Sequence, residues 1–176
     1  MKKYEFTGET KRVELWNRTA TLHRIKATVE FGFVKVGELG GWIEKEENLS
    51  HEGKAWVWGN AEVCGDAEVW GNAKVWGNAK VCGDAEVWGN AKVCGDAKVF
   101  LASHVLVMGS VGSRNDFTTF FRDKDNEITV KCGCFLGKID KFLEKVTQTH
   151  GNNKYALVYR AAVEVAKLQI ELTERK

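Results

Sequence analysis

Between Ala55 and Val99 the chain repeats the pattern Ala-x-Val-x-Gly-Asn/Asp, as AWVWGN, AEVCGD, AEVWGN, AKVWGN, AKVCGD, AEVWGN and AKVCGD, before fading into AKVFLA. So short a period is compatible with few architectures, because one unit cannot bury a face alone and must stack on its copies. Alternation along a strand puts Ala and Val on one face and the two variable residues on the other. Gly followed by Asn or Asp supplies residues that tolerate positive φ, so the chain can turn sharply after every strand. The expected shape is a coil of short strands around an interior of alanine and valine.

A longer period sets the number of strands per turn. Residues 57–74 recur at 75–92 with one change, from Glu62 to Lys80. Three units therefore make one turn, equivalent positions stack, and the predicted body is a three-sided prism filled by Val. Ala suits the tighter corners, where a larger side chain would overpack.

These residues resemble the hexapeptide-repeat family, whose fold is the left-handed parallel β-helix and whose members are usually homotrimers. The resemblance covers about a third of the chain. It implies a fold more than an activity, since acyltransferases, carbonic anhydrases and non-catalytic proteins share the scaffold. The lead-in Leu39-Gly-Gly-Trp-Ile-Glu with Asn48-Leu-Ser, and the later stretch CGCFLGKIDKFLEKVTQTHGNNKYA, are similar to hexapeptide-repeat proteins often encoded by phages and prophages, most of them without assigned activity.

The flanks read as smaller elements. Lys11–Leu15 and Thr21–Phe33 suggest strands of an N-terminal β cap over residues 1–42, needed because the first turn would otherwise expose a valine-lined end. The coil is expected over 43–113, with Leu39, Ile43 and Leu49 inward; Val105 and Val111 keep its six-residue beat after the Gly-Asn corners stop. Over 114–176 a hairpin of Phe117–Arg122 and Ile128–Cys132 precedes two helices. In the first of these, Ile139, Phe142, Leu143 and Val146 fall at helical spacing; the second carries Tyr155, Tyr159, Ala162 and Ala166 on its buried stripe. The predicted fold class is thus mainly β, a left-handed parallel β-helix with an N-terminal β cap and a small C-terminal α+β element.

Bulk properties narrow the function. A net charge of +2 gives no polyelectrolyte signature, so duplex nucleic acid is not an expected partner and any anion binding must be local. The N-terminus MKKYEFTGET lacks a signal-peptide apolar run and no membrane span is expected, which points to a cytoplasmic protein, in a bacterial host if phage-encoded. Of five cysteines, Cys64, Cys82 and Cys94 occupy a slot that Trp fills elsewhere, so they read as reduced, moderately apolar rungs.

Sorting outward residues by side of the prism locates the chemistry. The first side carries Trp58, Trp76 and Cys94 beside Trp56, Lys74 and Lys92; the second Cys64, Cys82 and Phe100 beside Glu62, Lys80 and Lys98; the third Trp70, Trp88 and Leu106 beside Glu68, Glu86 and His104. So much apolar surface needs covering. A head-to-tail contact placing Lys74 and Lys92 near Glu68 and Glu86 of the next subunit, and burying Trp70 and Trp88, would close a trimer. Alternatively the charges solvate the strands and the Trp rungs stack within one chain.

Three functional readings follow. Trp58 and Trp76 with Lys74 and Lys92 offer flat faces for a base and charge for phosphates, giving a non-catalytic binder of a small, anionic, nucleotide-like ligand. Joined to the phage-like resemblance, this suggests a sponge that sequesters a host defence signal, with no cofactor. The alternative is a hexapeptide acyltransferase using acyl-CoA, with His104 the candidate general base. Such enzymes usually interrupt their repeats with a long loop, and Ala55–Val99 has no interruption. A third reading is a structural trimer that binds a host protein through its C-terminal helices. No metal site is expected: His23, His51, His104 and His150 lie in different segments, and Cys132-Gly-Cys134 lacks zinc-knuckle spacing, its thiols sharing one strand face toward the following helix.

Overall fold

The computed structural model describes residues 1–15 and 18–172, so the last four positions of the 114–176 segment lie outside the described residues. In chain order the strands are β1 (Tyr4–Glu14), β2 (Thr19–Ala27), β3 (Leu39–Ile43), β4 (Trp56–Val57), β5 (Glu62–Val63), β6 (Glu68–Val69), β7 (Lys74–Val75), β8 (Lys80–Val81), β9 (Glu86–Val87), β10 (Lys92–Val93) and β11 (Lys98–Val99). The C-terminal part adds β12 (Val105–Val111), β13 (Asp116–Arg122), β14 (Ile128–Cys132), β15 (Phe135–Lys138), α1 (Ile139–His150) and α2 (Lys154–Gln169).

The repeats form a parallel β-solenoid of about three turns. Its ladders are β4–β7–β10, β5–β8–β11 and β6–β9, each pairing a residue with its equivalent in the next 18-residue block, as Glu62 with Lys80 and Glu68 with Glu86. Every Ala and Val of the pattern from Ala55 to Val99 is buried, so the interior is the small aliphatic column that the alternation predicts. Corners stack as well as strands. Gly65 sits at φ +68°, and a Cβ there would lie 3.0 Å from the Gly83 amide nitrogen, so positive φ and corner-on-corner contact both demand glycine. Asn60 donates to Asn78 at 3.5 Å and Asn78 to Asp96 at 3.3 Å, extending the ladder through side chains.

At the N-terminal end, β1 and β2 form an antiparallel hairpin that continues through β3 into the solenoid, giving one six-stranded sheet in the order β1-β2-β3-β5-β8-β11. The cap is therefore welded to one ladder. Tyr4, Ile25, Ala27 and Val34 join the solenoid core from above, while Ala20 and Leu22 cover Cys64 and Cys82. Trp56, which alternation alone makes a surface residue, is fully buried, with Tyr4 and Phe31 edge-on at 6.1 and 5.4 Å. Gly40 passes so close that a Cβ would fall 2.5 Å from Ile25 Cγ1 and 2.7 Å from the Trp56 ring.

The lead-in has a structural purpose. Asn48 is fully buried; its Oδ1 accepts from the Glu44 and Lys45 amides at 3.1 and 2.9 Å, and its Nδ2 donates to the Gly65 and Ala67 carbonyls at 3.0 and 2.8 Å. One amide thus ties the incoming loop to the next turn where regular strand pairing stops.

The decay of the repeat has a different outcome from the sequence expectation. Val105–Val111, read as the last beats of the coil, is β12, paired antiparallel with β13 in a sheet ordered β12-β13-β14-β15. Without Gly-Asn corners the segment has no means of turning round the axis, and it runs straight instead. The predicted hairpin is β13–β14, with Arg122 opposite Ile128. Phe121 enters the solenoid core, while Phe120, Val130, Phe142, Val146, Tyr159 and Val163 form a second core under α1 and α2. Asn153 caps α2 by accepting from Tyr155 and Ala156 amides at 2.9 and 3.2 Å.

Cys64 and Cys82 are joined in a disulfide across β5–β8, against the expectation of reduced rungs. The physical reason is the stacking itself: equivalent positions on consecutive turns lie with Cα atoms 4.6 Å apart, within bridging range. Cys94 is a buried free thiol. Among the described residues no helix is long and apolar enough to cross a membrane.

Candidate functional site: a tryptophan and lysine groove

The β4–β7–β10 ladder brings four predicted ligand-binding residues together. Trp58, Lys74, Trp76 and Lys92 line one open cavity of about 570 Å³, completed by Lys131 and Gly133 from the C-terminal sheet. Strand alternation explains the composition: the two variable residues of each hexapeptide project from the same face, and stacked turns align Trp58 with Trp76 and Lys74 with Lys92. Lys74 and Lys92 are in direct register, so two like charges stem from paired positions on adjacent strands, an unfavourable pairing that Asp116 offsets at Lys92 and that a bound anion would relieve further.

A second cavity of about 470 Å³ shares Trp58, Lys74 and Lys92 and extends to Phe33, Asn72 and Phe117. Lys74 Nζ lies 4.6 Å from the Phe33 ring centroid, and Lys92 Nζ is 3.8 Å from Asp116 Oδ2. Trp58 Nε1 donates to Glu38 Oε1 at 2.9 Å, which sets the tilt of its indole. Backbone also contributes rigidity, since the Lys92 amide donates to Thr119 Oγ1 at 3.0 Å. Phe33, Phe117 and Lys131 carried no sequence signal, because they reach the ladder from segments far away in the chain.

The other two ladders behave differently. Glu62 pairs with Lys80 at 3.2 Å and with Lys11 at 2.8 Å, so the Glu-to-Lys change between the two 18-residue blocks converts a repelling rung into an ion pair. On β6–β9, Trp70 and Trp88 stack within the chain at 5.3 Å and 9°, remaining 40% and 53% exposed beside the in-register Glu68 and Glu86.

His104 does not project from the third side as expected. It is buried at the end of a short 3₁₀ turn, and its Nδ1 accepts from the Phe100 amide at 3.1 Å. Burial, with the Arg122 charge nearby, holds its pKa below the ordinary histidine value. The turn forms because Leu101-Ala102-Ser103 replaces the Gly-Asn corner, drawing the imidazole inward. Cys132 and Cys134 also part company. Gly133 adopts φ +54°, ending the strand alternation, so Cys132 is half-buried beside Thr118 and Tyr159 while Cys134 is exposed. Among the described residues no cluster of His, Cys, Asp and Glu has the makings of a metal centre.

No protein-family model and no curated protein matches the chain.

Proposed function

We propose that this chain is a non-catalytic binding protein whose groove captures a small, anionic, nucleotide-like ligand. The observation that carries the reading is the convergence of two indoles, Trp58 and Trp76, with three ammonium groups, Lys74, Lys92 and Lys131, around one open cavity. Indole faces stack on bases irrespective of sequence, and ammonium groups neutralise phosphate. In this reading the solenoid is a left-handed, three-sided coil of the hexapeptide-repeat type, and three copies associate through the exposed Trp70–Trp88 stack with Glu68 and Glu86. Head-to-tail association sets that face toward the Lys74 and Lys92 side of the next copy, so the groove lies at the edge of a subunit cleft. A cytoplasmic phage or prophage protein sequestering a host defence signal is the setting that the sequence resemblance favours. The buried, hydrogen-bonded position of His104 favours a structural role over acyl transfer.

The test is native mass spectrometry before and after incubation with a bacterial small-molecule extract, followed by denaturation to identify what is released. The expected result is a trimer carrying an unmodified nucleotide, lost in the Lys74→Ala/Lys92→Ala double variant. A ligand released in chemically altered form, or one bound equally well by the double variant, would overturn the reading.

A further inference from the structure

The groove has two aromatic ends with cationic groups between them. Resting on the nucleotide-binding reading above, we propose that its ligand is a dinucleotide, two bases joined by phosphodiester linkage, and not a mononucleotide. The two cavities overlap at Trp58, Lys74 and Lys92, so they are lobes of one groove, of about 570 and 470 Å³. One lobe is walled by Trp58 and Trp76; the other opens onto Phe33 and Phe117. Lys74 and Lys92 border both lobes, which is where the linker of a two-base ligand would run; they rise from paired positions on adjacent strands, and a phosphate at Lys92 would take the place of its Asp116 partner.

Two features set the second lobe apart from an incidental hollow. Phe33 is 82% exposed at the tip of a turn closed by the reciprocal Phe31–Val34 hydrogen bonds, so a large aromatic ring is presented to solvent on a fixed support. Its face is already taken by a cation, Lys74 Nζ at 4.6 Å, an arrangement in which a phosphate on Lys74 and a base on Phe33 would be neighbours. Asn72 and Asn90, linked at 3.4 Å, line the same lobe and offer amide groups to a base edge.

Cyclic and linear dinucleotides share this chemistry, and the experiment separates them. Intrinsic tryptophan quenching and isothermal titration would be run with cyclic di-AMP and cyclic di-GMP, the linear pApA and pGpG, and AMP and GMP as single-base controls. A second stacked base contributes roughly ten- to a hundredfold in affinity. At least one dinucleotide, cyclic or linear, is therefore expected to bind at least tenfold tighter than its mononucleotide. The surface variant Phe33→Ala should remove most of that advantage, bringing dinucleotide affinity down toward that of the mononucleotide. Equal affinity for mono- and dinucleotides, or a Phe33→Ala variant that keeps the dinucleotide advantage, overturns the proposal while leaving a nucleotide-binding groove in place. Absence of binding by every probe at millimolar concentration overturns both.

Discussion

Replacing Asn48 tests whether one buried amide holds the start of the solenoid. The side chain makes four hydrogen bonds, accepting from the Glu44 and Lys45 amides and donating to the Gly65 and Ala67 carbonyls, with no exposed surface. Asn48→Ala leaves the Lys45 N–H and the Gly65 and Ala67 C=O groups unpaired, while the Glu44 amide keeps its bond to the Val63 carbonyl at 3.0 Å, and each buried orphan costs about 1–3 kcal/mol, reduced where water enters the space vacated. A loss of about 3–5 kcal/mol is expected, a large share of the ~5–15 kcal/mol that holds a typical domain together. Asn48→Leu separates hydrogen bonding from volume: it fills the space with carbon, leaves the same three groups unpaired and should cost at least as much. Asn48→Asp keeps the acceptor but sets a carboxylate against two carbonyl oxygens. That variant should gain stability as pH falls and the introduced carboxyl takes up a proton. Equilibrium unfolding in urea, followed by tryptophan fluorescence, reads all three. A loss below about 1 kcal/mol for both Asn48→Ala and Asn48→Leu would refute the role given to Asn48, because the Lys45 amide and the Gly65 and Ala67 carbonyls would then have gone unpaired without cost.

Four further outcomes are expected. His104 has a folded pKa below its unfolded value, so its contribution to stability is present above about pH 6.5 and lost as pH falls from there toward the folded value. Melting temperatures from pH 7.5 to 4.5 should show His104→Asn, which can still accept from the Phe100 amide, with a shallower acid loss than the parent; identical slopes would count against it. Alkylation with iodoacetamide under native conditions should label Cys134 and spare Cys94, whose thiol burial pushes up to about 11, and non-reducing peptide mapping should recover the Cys64–Cys82 link. Gly40→Ala should destabilise by about 3 kcal/mol or more in the same urea assay, since its methyl has no room beside Ile25 and Trp56; a neutral result would mean that the cap packs less tightly than described. If the Trp70–Trp88 face assembles the protein, Glu68→Lys/Glu86→Lys should lower the sedimenting mass, and an unchanged trimer would rule that face out.

Much of this was legible in the chain because a six-residue repeat is a local code. Alternation names the inward Ala and Val, the Gly-Asn/Asp pairs name the corners, and the recurrence of residues 57–74 with a single change names the partner of each strand. The same code places Trp58, Lys74, Trp76 and Lys92 on one side of the coil. What the repeat cannot encode is what approaches it from elsewhere. Trp56 follows the outward rule and is nevertheless buried, because β1–β3 fold over it; His104 follows the beat and turns inward, because its corner lacks the glycine. Two cysteines in identical slots became a disulfide because stacking brought their backbones together. The groove divides in the same way: its floor is set by periodicity, while Phe33, Phe117 and Lys131 arrive from loops and strands remote in sequence. Sequence by itself determined the solenoid, since each hexapeptide satisfies its backbone and its apolar face only against a copy of itself. The tertiary structure alone decided which outward faces are capped, which are bare and which become a groove, since those depend on long-range packing of segments that carry no repeat.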